Sequence, residues 1–255
     1  MILAVNIGNT NIRAALGHLD GTSCKIISQT VFYAHEGCII DQIEAGLGLI
    51  WDQVEGSIIA TVVPAHTDMI MSALEHKIGK PVKRIDINKC GHLHTDQYEG
   101  LLGEDRAVCC AQALQKYSPP FIVIDYGTAT TINIVNGDGE FLGGAILTGL
   151  QTGLDALTHN TAQLPQISQM AAKKIEIPLI GKNTIQNLYS GAVIGLACAT
   201  EGFLCRIEKE LGVKMPVIIT GGHGPVILPH CRFDYIHEPS LLLEGLLALY
   251  KNQNL

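Results

Sequence analysis

The chain carries little charge. Only 16% of its 255 residues are Asp, Glu, Lys or Arg, and the balance is acidic, with a formal net charge of −7. No Lys/Arg-rich block occurs. A protein that tracks a phosphate backbone concentrates cations, so nucleic acid is not expected as a partner. The chain also lacks a CxxC pair and an export signal. Met1 runs straight into a short apolar stretch holding Asn6 and Asn9, without a basic leader or a cleavage site. Its 8 cysteines are therefore expected as reduced, mostly buried thiols. Long apolar runs are missing too: Leu241 to Tyr250 is interrupted by Glu244 and too short to span a bilayer. These absences predict a soluble, cytoplasmic protein without a membrane partner. No low-complexity linker divides the chain, so two halves are expected to share a cleft rather than sit on a tether.

What is present is core. Hydrophobic residues make up 47% of the chain, enough for one large domain or two modest ones. The organising stretch is Phe121 to Val135, FIVIDYGTATTINIV. Four apolar residues, three of them β-branched, suit a strand buried on both faces. Asp125 ends that run, Gly127 permits a tight turn, and Ile132 to Val135 suggests a hairpin returning. A carboxylate beside a Gly/Thr turn suits a metal-bound phosphate, because the turn offers backbone donors and the acid holds a hard cation. The N-terminus repeats the pattern. Ile2 to Ile12, ILAVNIGNTNI, runs from an apolar strand through Asn6 to Gly8, Asn9 and Thr10, then turns apolar again. Two such copies, nearly half a chain apart, read as a duplicated half. Paired hairpins offering turns to phosphate across a cleft are the arrangement of the actin-like sugar-kinase and heat-shock ATPase superfamily.

In the first half the pattern predicts a turn at Gly17 to Gly21, a strand at Lys25 to Tyr33 and a helix at Ile39 to Ile50. It continues with a strand ended by Pro64, a helix from Ala65 to Ile78, a strand at Val82 to Ile87, a polar loop to Gly103 and a helix from Asp105 to Tyr117. The second half repeats the hairpin and adds Phe141 to Leu147, a helix at Leu150 to Thr158, long helical spacing over Asn183 to Leu211, and a closing helix. Val217 to Thr220 feeds Gly221-Gly222, a pair that lets backbone approach a flat adenosine closely or else simply turns the chain. Cys90, His92 and His94 form C-x-H-x-H, which on an extended segment could aim at zinc, although no fourth ligand stands nearby.

The ordered series NIGNTN (6–11), SIIATVVP (57–64), LGEDR (102–106), DYGTATT (125–131), LGGAILTGL (142–150), DALTHNTAQLP (155–165), GKNT (181–184) and ITGGHG (219–224) resembles type III pantothenate kinases. These actin-like enzymes phosphorylate pantothenate at the start of coenzyme A synthesis. The resemblance covers nearly the whole chain. It implies an α/β fold of two actin-like (ribonuclease H-like) halves, residues 1–117 and 118–255, each a mixed sheet with helices, with a cleft between them. It assigns Asp105 as the base that takes the substrate hydroxyl proton, a carboxylate that orients a poor nucleophile. It matches Asn6, Gly8, Asn9, Thr10, Asn11 and Arg13 to the first phosphate loop, and Thr128 to an ATP contact, alongside Gly221 and Gly222. Tyr98, Gly103, Glu104, Asp105, Arg106 and Thr184 match the pantothenate pocket. Arg106 could pair the substrate carboxylate bidentately, or form a surface pair with Glu104 or Asp105. Asp125 matches a monovalent-cation ligand, for potassium or ammonium, beside ATP and its Mg²⁺. Thr184 is implied to reach the site from a partner subunit, hence a homodimer with its site at the interface.

One departure bears on chemistry. The family's first motif begins with Asp, and this chain has Asn6, which accepts hydrogen bonds but carries no charge toward Mg²⁺. The readings are therefore an active pantothenate kinase, or a weakened nucleotide- or pantothenate-binding homologue with a regulatory role. An actin-like kinase for a sugar or acetate is a third. Thr148 stands where the family commonly has Pro, with little consequence expected.

Overall fold

A computed structural model of the chain describes residues 1–20, 23–34, 37–172 and 175–252. They form two compact units. Unit 1 holds Met1–Pro119, Asp138–Leu142 and Ser240–Leu255; unit 2 holds Pro120–Gly137 and Gly143–Pro239.

Unit 1 is built on a five-stranded sheet. In chain order it contains β1 (Ile2–Ile7), β2 (Asn11–Asp20), β3 (Ser23–Tyr33), α1 (Ile39–Leu47), β4 (Gly56–Thr61), α2 (Pro64–Ile78), β5 (Val82–Arg84) and α3 (Glu104–Lys116). The strand order is β3-β2-β1-β4-β5. β1–β2 and β2–β3 are antiparallel, β1–β4 and β4–β5 parallel. β1 and β4 are buried at every position, which central strands covered on both faces require. Leu3, Val5, Ile12, Ile43, Ile59 and Leu74 share one core. The C-terminal helix, Leu241–Asn252, also belongs here, with Leu241, Leu246 and Leu247 fully buried and Glu244 paired to Lys116 at 3.0 Å.

Three local expectations shift. The expected turn at Gly17 does not form, because β2 runs on through Gly17 to Asp20, its register slipping at Leu16/Gly17 as a bulge; residues 21 and 22 lie outside the described residues. Pro64 opens α2 at its first turn, where the missing N–H costs nothing. β5 stops at Arg84.

Unit 2 contains β6 (Phe121–Tyr126), β7 (Ala129–Val135), most of β8 (Phe141–Thr148), α4 (Leu150–Asn160), α5 (Gln169–Ala172), α6 (Thr184–Tyr189), α7 (Gly195–Leu211), β9 (Val217–Thr220), α8 (Gly224–Ile227) and β10 (Ile236–His237). Its order is β10-β9-β6-β7-β8. The hairpin is antiparallel, and β6–β9 and β9–β10 are parallel. Numbered from each hairpin, this is the strand order of unit 1 read again. The duplication seen in the sequence is a duplication of topology.

A π-helical turn, Ser190–Ile194, joins α6 to α7, so Thr184–Leu211 is one helical run of 28 residues. By length and composition it is long and apolar enough to cross a membrane, and 33% of its most apolar window is buried. Leu188, Tyr189, Val193, Leu196 and Ala197 spend one face of that run on the core formed with Ile122, Ile124 and Ile219. Tyr126 donates from its hydroxyl to Thr200 Oγ1 at 3.0 Å, and Thr200 donates onward to Leu196 O at 2.9 Å. Burial raises the Tyr126 phenol above its usual range, the Thr200 bond partly opposing it.

Candidate active site

In unit 1 the turn after β1 is held by its own backbone. Gly8 N–H donates to Asn11 O at 3.0 Å, and Thr10 O accepts from Ala34 N–H at 2.9 Å. A Cβ on Gly8 would stand 2.8 Å from the Asn11 oxygen, so the turn excludes any side chain there. Asn9 is exposed; Gly8, Thr10 and Asn11 are half-buried. Asn6 sits under this turn, 7% exposed, opposite Arg13 in the hairpin and beside Ala60 of β4. Its Oδ1 is buried and accepts no hydrogen bond among the described residues. Buried acceptors are normally satisfied, so this atom suits a group brought by a ligand.

The N-terminus of α3 arrives at the same sheet edge. Thr61 ends β4, directly beside the end of β1. Its N–H donates to Glu104 Oε2 at 2.7 Å. Glu104 Oε1 accepts from Arg84 Nε at 2.8 Å and pairs with Arg84 Nη2 at 2.6 Å. A side chain 10% exposed thus clamps the first turn of α3 to the ends of β4 and β5. Its carboxylate is committed to Thr61 and Arg84. Asp105, next in sequence, is half-buried, with Oδ1 accepting from Arg106 N–H at 2.8 Å. The acid sits in the first helical turn, where the helix dipole also favours it.

Glu104, one of the two acids expected to pair with Arg106, is held by Arg84 instead. The Arg106 guanidinium carbon lies 5.3 Å from the Phe141 ring centre and 5.9 Å from that of Tyr98. Tyr98 is therefore brought to the LGEDR turn. Arg84, Thr61 and Phe141 were not singled out from sequence. Each is an ordinary residue in its own segment, and only the pairing across the sheet gives it a role.

Unit 2 presents the second turn. Asp125 lies at the end of β6, in register with Thr220 at the end of β9. Gly127 N–H donates to Ala129 O at 3.0 Å. Thr128 O accepts from Gly149 N–H at 3.1 Å and from Thr152 Oγ1 at 2.7 Å, which pins the turn onto α4. Gly221 has φ of 99°, and a Cβ there would collide with Asp125 Oδ1 and stand 2.5 Å from Tyr126 N and O. The space its missing side chain leaves is filled by the protein's own β6 end. Gly222 is exposed. Thr220 Oγ1 is buried with no hydrogen-bond partner among the described residues. A neutral oxygen next to a carboxylate can help it hold a hard cation.

Thr184 is exposed at the first position of α6. Asn183 caps that helix by accepting from Gln186 N–H at 2.9 Å, and Gln186 Oε1 accepts from Lys182 N–H at 2.8 Å. The GKNT motif thus has a capping role of its own. Cys90, His92 and His94 do not converge. Cys90 is buried with Sγ donating to Asp86 O, both histidines are exposed, and no cluster of three metal-ligating side chains occurs among the described residues. Burial pushes the Cys90 and Cys110 thiols up to about 12, which removes them as nucleophiles.

A twice-repeated sheet with a phosphate-type turn after the first strand of each copy defines the actin-like class of ATPases and sugar kinases. Two solved structures share the fold. A Baf family protein of Campylobacter jejuni superposes at TM-score 0.61 and 20% identity, covering 99% of this chain and 100% of that one. The activator of 2-hydroxyisocaproyl-CoA dehydratase of Clostridium difficile, solved with bound ADPNP, gives 0.54 at 11% identity, with 99% and 94% covered. The profile of type III pantothenate kinases matches residues 2–206. A type III pantothenate kinase of Persephonella marina is 33% identical over 260 residues, covering 98% of each chain. The chain belongs to the type III pantothenate kinase family.

Proposed function

We propose that the protein transfers the γ-phosphate of ATP to pantothenate, giving 4′-phosphopantothenate at the start of coenzyme A synthesis. The observation that carries this reading is local to unit 1. The Gly8–Asn11 turn after β1 and the Asp105 turn of α3 share one sheet edge, at the carboxyl ends of two adjacent parallel strands. Open α/β sheets bind ligands at that edge.

Asp105 orients the pantothenate hydroxyl and accepts its proton, while positioning and neutralisation of phosphate charge supply most of the acceleration. In unit 1, Asn6, Gly8, Asn9, Thr10, Asn11 and Arg13 are the residues that take phosphate oxygens; in unit 2, Thr128 and the Gly221-Gly222 turn are the nucleotide contacts. Gly103, Tyr98 and Arg106 take pantothenate, the guanidinium pairing its carboxylate. Asp125, with the Thr220 hydroxyl beside it, would hold potassium or ammonium, which screens the triphosphate. Mg²⁺ enters with ATP. Thr184 is exposed, consistent with a residue that completes the pantothenate pocket of a partner subunit in a cytoplasmic homodimer. The test is ADP release in a coupled assay with Mg²⁺, K⁺, ATP and pantothenate, run beside a sugar and acetate panel. Turnover restricted to pantothenate supports the proposal, and turnover of another acceptor alone refutes it.

A further inference from the structure

Residues Asp138–Leu142 belong to unit 1, although the strands on either side belong largely to unit 2. Backbone bonds fix the segment against the loop that carries Tyr98. His94 N–H donates to Gly139 O at 3.0 Å, Phe141 N–H donates to His94 O at 2.8 Å, and Glu140 bridges to His94 in parallel. Phe141 is buried, 1% exposed. Its ring meets that of Tyr98 edge to face, centroids 5.1 Å apart at 77°. The Arg106 guanidinium lies near both rings, at 5.3 Å and 5.9 Å, with Nη1 3.5 Å from the Tyr98 hydroxyl.

A guanidinium is a weakly hydrated, planar cation, and an aromatic face attracts it without consuming hydrogen bonds the way a carboxylate does. Glu104, two residues before it, is bound to Arg84 and Thr61. An arginine held this way has lost its side-chain freedom before substrate arrives, so binding does not have to remove it. We infer that Phe141, together with Tyr98, is a positioning residue that holds Arg106 in the orientation in which it meets the pantothenate carboxylate. This rests on the assignment of Arg106 to that carboxylate.

Phe141→Leu keeps an apolar side chain of similar volume and removes the ring face. The assay is steady-state ADP release, varying pantothenate and ATP separately, with a thermal melt of each variant. The pantothenate KM of F141L rises roughly tenfold, while its ATP KM holds within about twofold. On an Arg106→Leu background, F141L adds nothing to the pantothenate KM, because the cation it held is gone. Phe141→Met repeats the measurement should F141L fail to fold. An unchanged pantothenate KM, equal rises in both KM values, or full additivity with R106L each overturns the inference while leaving the kinase reading intact. A wild-type protein that releases no ADP with pantothenate overturns both.

Discussion

Replacing Glu104 by alanine removes the acceptor that ties α3 to β4 and β5. Thr61 N–H, in a residue 4% exposed, then loses its partner, and Arg84 loses its carboxylate. A hydrogen bond to a charged group contributes about 1.5–3 kcal/mol, and an orphaned buried donor costs about 1–3 kcal/mol. The Arg84 side chain is 47% exposed and can rehydrate, so its ion pair adds at most about 1 kcal/mol after screening. The hydrogen-bond and orphaned-donor figures describe the same loss, so with the ion pair the total expected for Glu104→Ala is about 2–4 kcal/mol, near the lower end for breaking a buried pair. For a chain of this size, that lowers Tm by about 5–15 °C. Urea unfolding at fixed pH measures it directly, and the shift should appear in the midpoint rather than the slope. Because Asp105 follows in the same turn, kcat should fall more than the ATP KM rises. Glu104→Gln should recover part of the stability, since one amide oxygen can still accept from Thr61, although its NH₂ then faces Arg84. A Glu104→Ala protein within about 0.5 kcal/mol of wild type would refute the clamp.

Other changes probe the two turns and the buried thiols. Asn6→Asp places a carboxylate at a position 7% exposed, so the ligand-free protein should melt lower, while kcat/KM for MgATP should rise in the ADP-release assay. No kinetic gain would show that charge at this position is not limiting. Gly221→Ala forces a Cβ into the β6 end at φ of 99° and should cost about 3 kcal/mol or more in urea unfolding, together with weaker nucleotide binding by calorimetry. Alkaline stability follows from Cys90 and Cys110, raised by burial to about 12 from the usual 9.0. Between these values the unfolded chain has released protons that the native state keeps. Unfolding stability should therefore hold below pH 9 and fall by up to about 1.4 kcal/mol per pH unit for each thiol above it. Denaturation midpoints from pH 7 to 10.5 check the sign.

The duplicated Asn6 and Asp125 turns, the buried character of β1, β4, β6 and β9, and the ordered LGEDR and DYGTATT motifs could all be read in the chain. Each is a local matter: a strand buried on both faces is continuously apolar, and a turn without room for a side chain needs glycine. Helix Thr184–Leu211 was legible from its spacing over Asn183 to Leu211, whereas the reach of β2 past Gly17 was not, because the neighbouring strand, not local propensity, sets where a strand ends. Tertiary structure alone decided that Glu104 meets Arg84 and Thr61. It alone decided that Gly221 makes room for the β6 end, and that Phe141 lies beside Arg106. These are pairings between residues far apart in sequence, and no period or motif encodes which distant side chain a buried carboxylate or guanidinium will meet. That choice is made when strands adopt their register, since the register sets the few ångströms within which a hydrogen bond or an aromatic contact can form.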